Sequence, residues 1–211
     1  MKKSVVVYVG EGLADWEAGY ALAGLNNPAL FGRAEPPFAV RYATSDGAPA
    51  RTMGGMTVQA DLALADVDPA TCALLMLPGG ASWDEGAHGD AVALAKRFVA
   101  AGVPVAAICG ATAGLARGGL LDAVAHTSNA AEYLQATGYR GAEHYRNEPA
   151  VTDGDVITAN TTGPVAFAQH IFKRLELANP VVIDAWADLF TTGDPVHYGR
   201  LMALAGGKGE G

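Results

Sequence analysis

The sequence is poor in charge and poor in cysteine. Only 17% of its 211 residues are Asp, Glu, Lys or Arg, against a usual share of about 25%. Acidic residues outnumber Lys and Arg by 22 to 14, the formal charge is −8, and no basic run occurs. A nucleic-acid partner, which needs a basic face against phosphate, is therefore not expected. Hydrophobic residues make up 50% of the chain, which excludes the disordered class with its low hydropathy and high net charge. No apolar run reaches the ~20 residues of a spanning helix. Behind Met1-Lys2-Lys3 the stretch from Val5 to Val9 is too short for a secretory signal. The expectation is a cytoplasmic protein with no membrane partner. The two cysteines, Cys72 and Cys109, form no C-x-x-C and are expected as free thiols. His88, His126, His144, His170 and His197 are scattered without zinc-ligand spacing, so no metal is expected.

What is present is an alternation of strand-like and helix-like segments. Buried strands are predicted over 4–9, 38–44, 73–77 and 103–108. A hairpin is predicted around 53–56, and a second joins Val151 to 156–159 through Asp153-Gly154. Helices are predicted over 15–25, 90–101, 111–121, 164–177, 180–190 and 195–205, several opened by Pro or closed by Gly. Apolar strands without polar alternation, separated by helices, specify a mainly parallel sheet covered on both faces. That is an α/β, flavodoxin-like three-layer sandwich. One domain over 1–205 is expected, followed by a flexible Gly/Lys/Glu tail over 206–211. In such a sheet the chemistry sits beyond the carboxyl ends of the strands. The loops after Val9, Leu77 and Ile108 are the places to look.

The sharpest local feature is Cys109, where the strand ending at Ile108 runs straight into Gly110-Ala111-Thr112. The residues two before and two after it, Ala107 and Ala111, are small, as the tight turn of a nucleophile elbow requires. A sulfur there also meets the positive end of a helix, which favours thiolate. The alternative is a small buried core residue. Cys72, at the start of an interior strand, reads as inert core. Pro78-Gly79-Gly80 follows the neighbouring strand. Backbone N–H groups of Gly80 and Gly110 are candidates for an oxyanion hole, and Gly79 for a substrate contact. The loop after the first strand reads Gly10-Glu11-Gly12 but has Asp15 at the third glycine position, so it is no dinucleotide fingerprint, and no cofactor is expected. Glu17, in the first turn of the following helix, is either a carboxyl reaching the crevice or an exposed acid favoured by the helix dipole.

Three pieces in order carry a resemblance: Ala14-Asp15-Trp16-Glu17, Leu77-Pro78-Gly79-Gly80 and Ala107-Ile108-Cys109-Gly110-Ala111-Thr112. Together they resemble the ThiJ/PfpI superfamily, which has a class I glutamine-amidotransferase-like fold, over roughly residues 4–177. His126-Thr127-Ser128-Asn129 and the segment 149–159 look like its bacterial glutamine amidotransferase-like branch. The resemblance implies Cys109 as nucleophile or redox-sensing thiol, Glu17 as its protonated partner, Gly80 and Gly110 as amide donors, and a homodimer. Two departures count against specific activities. The residue after the nucleophile is Gly110, where peptidase members carry histidine. His170 is followed by Ile171 and Phe172, so the His-x-Glu pair of true amidotransferases is missing. Thr112, His126 and Thr127 are candidate contacts to a small-molecule substrate, and His126 is alternatively structural. The expected function is a cysteine-dependent hydrolase or lyase on a small carbonyl or amide compound. The alternatives are a redox sensor that oxidises Cys109 to sulfinate, and a binding module with an idle elbow.

Overall fold

The computed structural model describes residues 2–206. Its strands and helices follow in the order β1 (Ser4–Tyr8), α1 (Asp15–Asn26), β2 (Ala39–Thr44), β3 (Ala50–Arg51), β4 (Thr57–Val58), β5 (Leu62–Ala63), β6 (Cys72–Leu77) and α2 (Gly89–Ala100). They continue with β7 (Val105–Ile108), α3 (Gly110–Arg117), α4 (Ala131–Gln135), β8 (Ala150–Asp153), β9 (Val156–Ala159), α5 (Pro164–Arg174), α6 (Pro180–Thr192) and α7 (Pro195–Gly206). Seven strands form one sheet in the order β5-β2-β1-β6-β7-β9-β8, while β3 and β4 make a separate antiparallel hairpin. Every pairing in the large sheet is parallel except β8 with β9. This is the flavodoxin-like α/β architecture expected from the alternation.

The apolar strands have a direct explanation in the two cores. Val5 and Val7 of β1, Leu74 and Met76 of β6, and Ala106 and Ile108 of β7 pack on one face, beneath α1, α5, α6 and α7. Val6 and Tyr8, Leu75 and Leu77, and Val105 and Ala107 pack on the other, beneath α2 and α3. A strand buried on both faces has no reason to alternate polar with apolar residues. Close packing also fixes glycines: a Cβ at Gly24 would lie 2.2 Å from the Phe172 ring, so α1 can cross α5 only with glycine there.

Several expected boundaries shift. The helix predicted within 111–121, with its end around Gly118-Gly119, runs from Gly110 to Arg117, and Gly119 follows at φ 75°. The helix predicted over 164–177 ends at Arg174, and Glu176 turns to φ 50° so that Leu177 can drop into the core. The strand predicted from 103 begins at Val105, after Pro104, which has no N–H to give a ladder. Helix α7 reaches Gly206; the rest of the predicted tail, 207–211, lies outside the described residues. Among the described residues no helix is long and apolar enough to cross a membrane.

Candidate active site

Cys109 occupies the junction of β7 and α3 with φ 56° and ψ −124°. Such a conformation is nearly reserved for glycine, and a side chain holds it only when the surroundings over-determine it. They do so here. Cys109 N–H donates to Ala159 O at 3.0 Å, extending the β7–β9 ladder by one bond. Its carbonyl accepts from Thr112 N–H at 3.1 Å and from Thr112 Oγ1 at 2.6 Å. Ala107 and Ala111 are wholly buried beside it. The expected elbow is present.

Glu17 descends from the first turn of α1 into the same spot and is 1% exposed. Its Oε2 accepts the Gly79 N–H at 2.6 Å. The carboxyl is a hydrogen-bonding neighbour of the Cys109 thiol. Gly79 separates them: a Cβ there would stand 2.7 Å from Glu17 Oε2 and 3.0 Å from Cys109 Cβ. Glycine is therefore the only residue that lets carboxyl and thiol meet. The Gly79 amide is used up in this way, so Gly79 holds Glu17 rather than a substrate. Gly80 and Gly110 line the cavity, and their N–H groups have no partner among the described residues.

Burial pushes the Glu17 carboxyl up, so it keeps its proton further toward neutral pH than an ordinary glutamate. Cys109 was expected to be lowered by the helix terminus, but burial dominates and pushes the thiol up, and an ionised Glu17 pushes it further. A protonated Glu17 removes that second influence and offers a proton to sulfur. Two other groups work downward. Asn129 Nδ2 donates to Cys109 Sγ at 3.4 Å, and the Thr161 hydroxyl is a second donor. Asn129 is aimed by its own oxygen, which accepts Thr161 N–H at 2.9 Å.

A cavity of about 160 Å³ opens over the thiol. Besides Cys109, Glu17, Gly80 and Gly110 its walls include Trp16, Met53, Asp84, Asn129, Tyr133 and Thr161. Tyr133 Oη donates to Asp84 Oδ1 at 2.5 Å. Burial, then Asp84, raises the Tyr133 phenol far above its usual range, so it stays a donor. A larger, mostly apolar cavity of about 380 Å³ lies beyond α1, but it carries no cysteine or histidine.

Three expected contacts are misplaced. His126 is wholly buried, with Nδ1 2.8 Å from Val124 O and Nε2 3.1 Å from Tyr139 Oη, and its ring packs on Tyr139 and Tyr145. Thr127 is equally buried and is spent on Thr158 and Glu148. Thr112 bonds the elbow carbonyl and Ser128. None of the three lines the cavity. Asn129, Tyr133, Asp84 and Thr161 had no individual sequence signal. Only Asn129 fell within a quoted motif. Trp83 and Trp186 are core residues, each 2% exposed. Cys72 is buried too, and its thiol is pushed up by burial.

Comparison with known proteins agrees with this geometry. Residues 3–174 match the DJ-1/PfpI family. The "Uncharacterized protease YoaZ" of Bacillus subtilis is 32% identical over 202 residues, covering 95% of this chain and 96% of that protein. A solved thiJ/pfpI family protein from Bacillus anthracis superposes with a TM-score of 0.89 at 32% identity, covering 97% of each chain. The DJ-1 superfamily protein Atu0886 from Agrobacterium tumefaciens gives 0.80 at 36% identity, covering 90% of this chain and 98% of that one. With a strained cysteine elbow, a buried carboxyl against it and relatives matched along nearly the whole length, the chain belongs to the DJ-1/PfpI family.

Proposed function

We propose that the chain is a cysteine-dependent hydrolase or lyase acting on a small carbonyl or amide compound. The observation that carries this reading is the buried Glu17 carboxyl held against a strained, cavity-facing Cys109. The Cys109 thiolate attacks the carbonyl carbon. A carbon–sulfur bond forms, and the electron pair of the C=O moves onto oxygen. The N–H groups of Gly80 and Gly110 receive that charge, and Glu17 supplies the proton and later takes one back. No histidine lines the cavity among the described residues, so Glu17 is the proton carrier available. Peptide hydrolysis is disfavoured, because Gly110 stands where peptidase members carry histidine and no histidine lines the cavity among the described residues. The name "uncharacterized protease" belongs to the relative.

A second reading has its own support. A protonated carboxyl beside the sulfur also suits a sulfinate, so peroxide oxidation of Cys109 without turnover would make the chain a redox sensor. We further propose a cytoplasmic homodimer. Trp16, Met53 and Met56, exposed by 55%, 51% and 59%, support an association face beside the cavity mouth.

The test is alkylation of Cys109 by iodoacetamide against pH, read by intact mass, together with turnover of small aldehydes and amides. Turnover lost in Cys109→Ser and in Glu17→Gln supports the enzyme. Selective oxidation of Cys109 without turnover supports the sensor. A thiol inert to alkylation and oxidation overturns both.

A further inference from the structure

The walls of the Cys109 cavity carry a charge bias that the proposed chemistry does not require. Asp84 and Glu17 are the acidic side chains among them, and no Lys, Arg or His lines the space. Burial pushes Glu17 toward its neutral form, and Asp84 is the other acidic side chain on the walls. One of its oxygens, Oδ1, accepts from Tyr133 Oη at 2.5 Å. Asp84 makes no ion pair among the described residues, and its Oδ2 has no hydrogen-bond partner there. The Arg117 guanidinium approaches the loop but is held by main-chain carbonyls, Trp83 O at 2.7 Å and Asp84 O at 3.3 Å. It offsets part of the Asp84 charge from outside the cavity.

We propose that Asp84 is the specificity-determining residue of this site. It selects carbonyl compounds that carry an ammonium group or another hydrogen-bond donor, and it rejects carboxylate-bearing ones such as 2-oxo acids. Tyr133 clamps one Asp84 oxygen and leaves the other for the substrate. This inference rests on the reading of Cys109 as the nucleophile and adds to it the class of compound that reaches the sulfur. A carboxylate entering would face Asp84 and the thiolate together with no cation on the walls to meet it. An ammonium would be attracted by both and would find Oδ2 as an acceptor.

The experiment reads the field without needing the natural substrate. Cys109 is treated at pH 7.5 with 2-aminoethyl or 2-sulfonatoethyl methanethiosulfonate, and the adduct is located by peptide mass. In both reactions the thiolate attacks the sulfenyl sulfur, an S–S bond forms, and methanesulfinate leaves with the electron pair. The ratio of cationic to anionic rate is divided by the same ratio for 2-mercaptoethanol, which removes intrinsic reactivity. The expected quotient is about tenfold, the order that one partly screened unit charge gives at a few ångströms. Asp84→Asn brings it to within about threefold of unity, while Tyr133→Phe, which keeps the carboxylate, leaves it high. A reactive Cys109 with a quotient near unity, or one unchanged by Asp84→Asn, overturns the selectivity and leaves the nucleophile intact. A Cys109 inert to both reagents overturns the nucleophile and the selectivity with it.

Discussion

Replacing Cys109 by glycine should make the protein more stable than replacing it by alanine, because glycine holds this backbone conformation without strain. At φ 56° and ψ −124° the Cβ crowds its own backbone. A side chain in such a region costs about 1–3 kcal/mol. Both variants lose the sulfur and its bond from Asn129, so their difference isolates the Cβ. Glycine relieves the strain but brings about 0.5–1 kcal/mol of extra unfolded-chain freedom. The net gain of Cys109→Gly over Cys109→Ala is then about 1 kcal/mol. For a chain of 211 residues that is a rise in Tm of about 2–4 °C. Differential scanning calorimetry of the two variants at one pH measures it. A glycine variant that melts at or below the alanine variant would show that the elbow stores no strain, and the argument from backbone geometry to function would lose its footing.

Three further outcomes are expected. Gly79→Ala should melt lower by the equivalent of about 1–3 kcal/mol of overpacking and lose turnover, since its Cβ would stand 2.7 Å from Glu17 Oε2 and 2.9 Å from Gly110 N; wild-type behaviour would refute the close approach. The Glu17 carboxyl is raised from its ordinary 4.5. Its contribution to stability is therefore complete below that value and is lost as pH rises through its folded pKa. Glu17→Gln does not titrate, so its Tm should gain on wild type as pH rises above 4.5, and a constant difference would contradict this. His126 is lowered from 6.5 by burial, so its contribution is present above that pH and is lost as pH falls through the folded value. His126→Gln should flatten the acid side of the Tm profile without changing the rate of Cys109 alkylation; a changed rate would return the ring to the site.

The scaffold was legible because burial on both faces writes itself as unbroken apolar runs. Val5 to Val9, Ala73 to Leu77 and Val105 to Ile108 could hardly be anything but interior strands once Gly and Pro bounded them. Short elements were not legible. Two residues of β5 and five of α4 exist because longer neighbours hold them, and their sequences carry no period. The site divides in the same way. Cys109, Glu17, Gly80 and Gly110 sit at strand ends or helix starts, where local pattern fixes position. Asn129 and Thr161 reach the thiol, and Tyr133 the cavity wall, from loops and from short α4, whose path depends on tertiary contacts. His126 misled because a histidine near a motif looks chemical, whereas its neighbours Val124, Tyr139 and Tyr145 make it a packed hydrogen-bonding ring.

The bond from Cys109 N–H to Ala159 O ties the elbow to a strand fifty residues away in sequence. The reactive geometry is therefore a property of the assembled sheet, and no local segment can keep it. Cys72 stands at the opposite end of the adjoining strand and is 2% exposed. The two thiols act as built-in reporters with opposite responses. As denaturant rises, Cys72 gains reactivity while Cys109 loses its distinctive pH profile, and both changes fall at the midpoint of global unfolding. The elbow geometry and the folded sheet should disappear as one cooperative event.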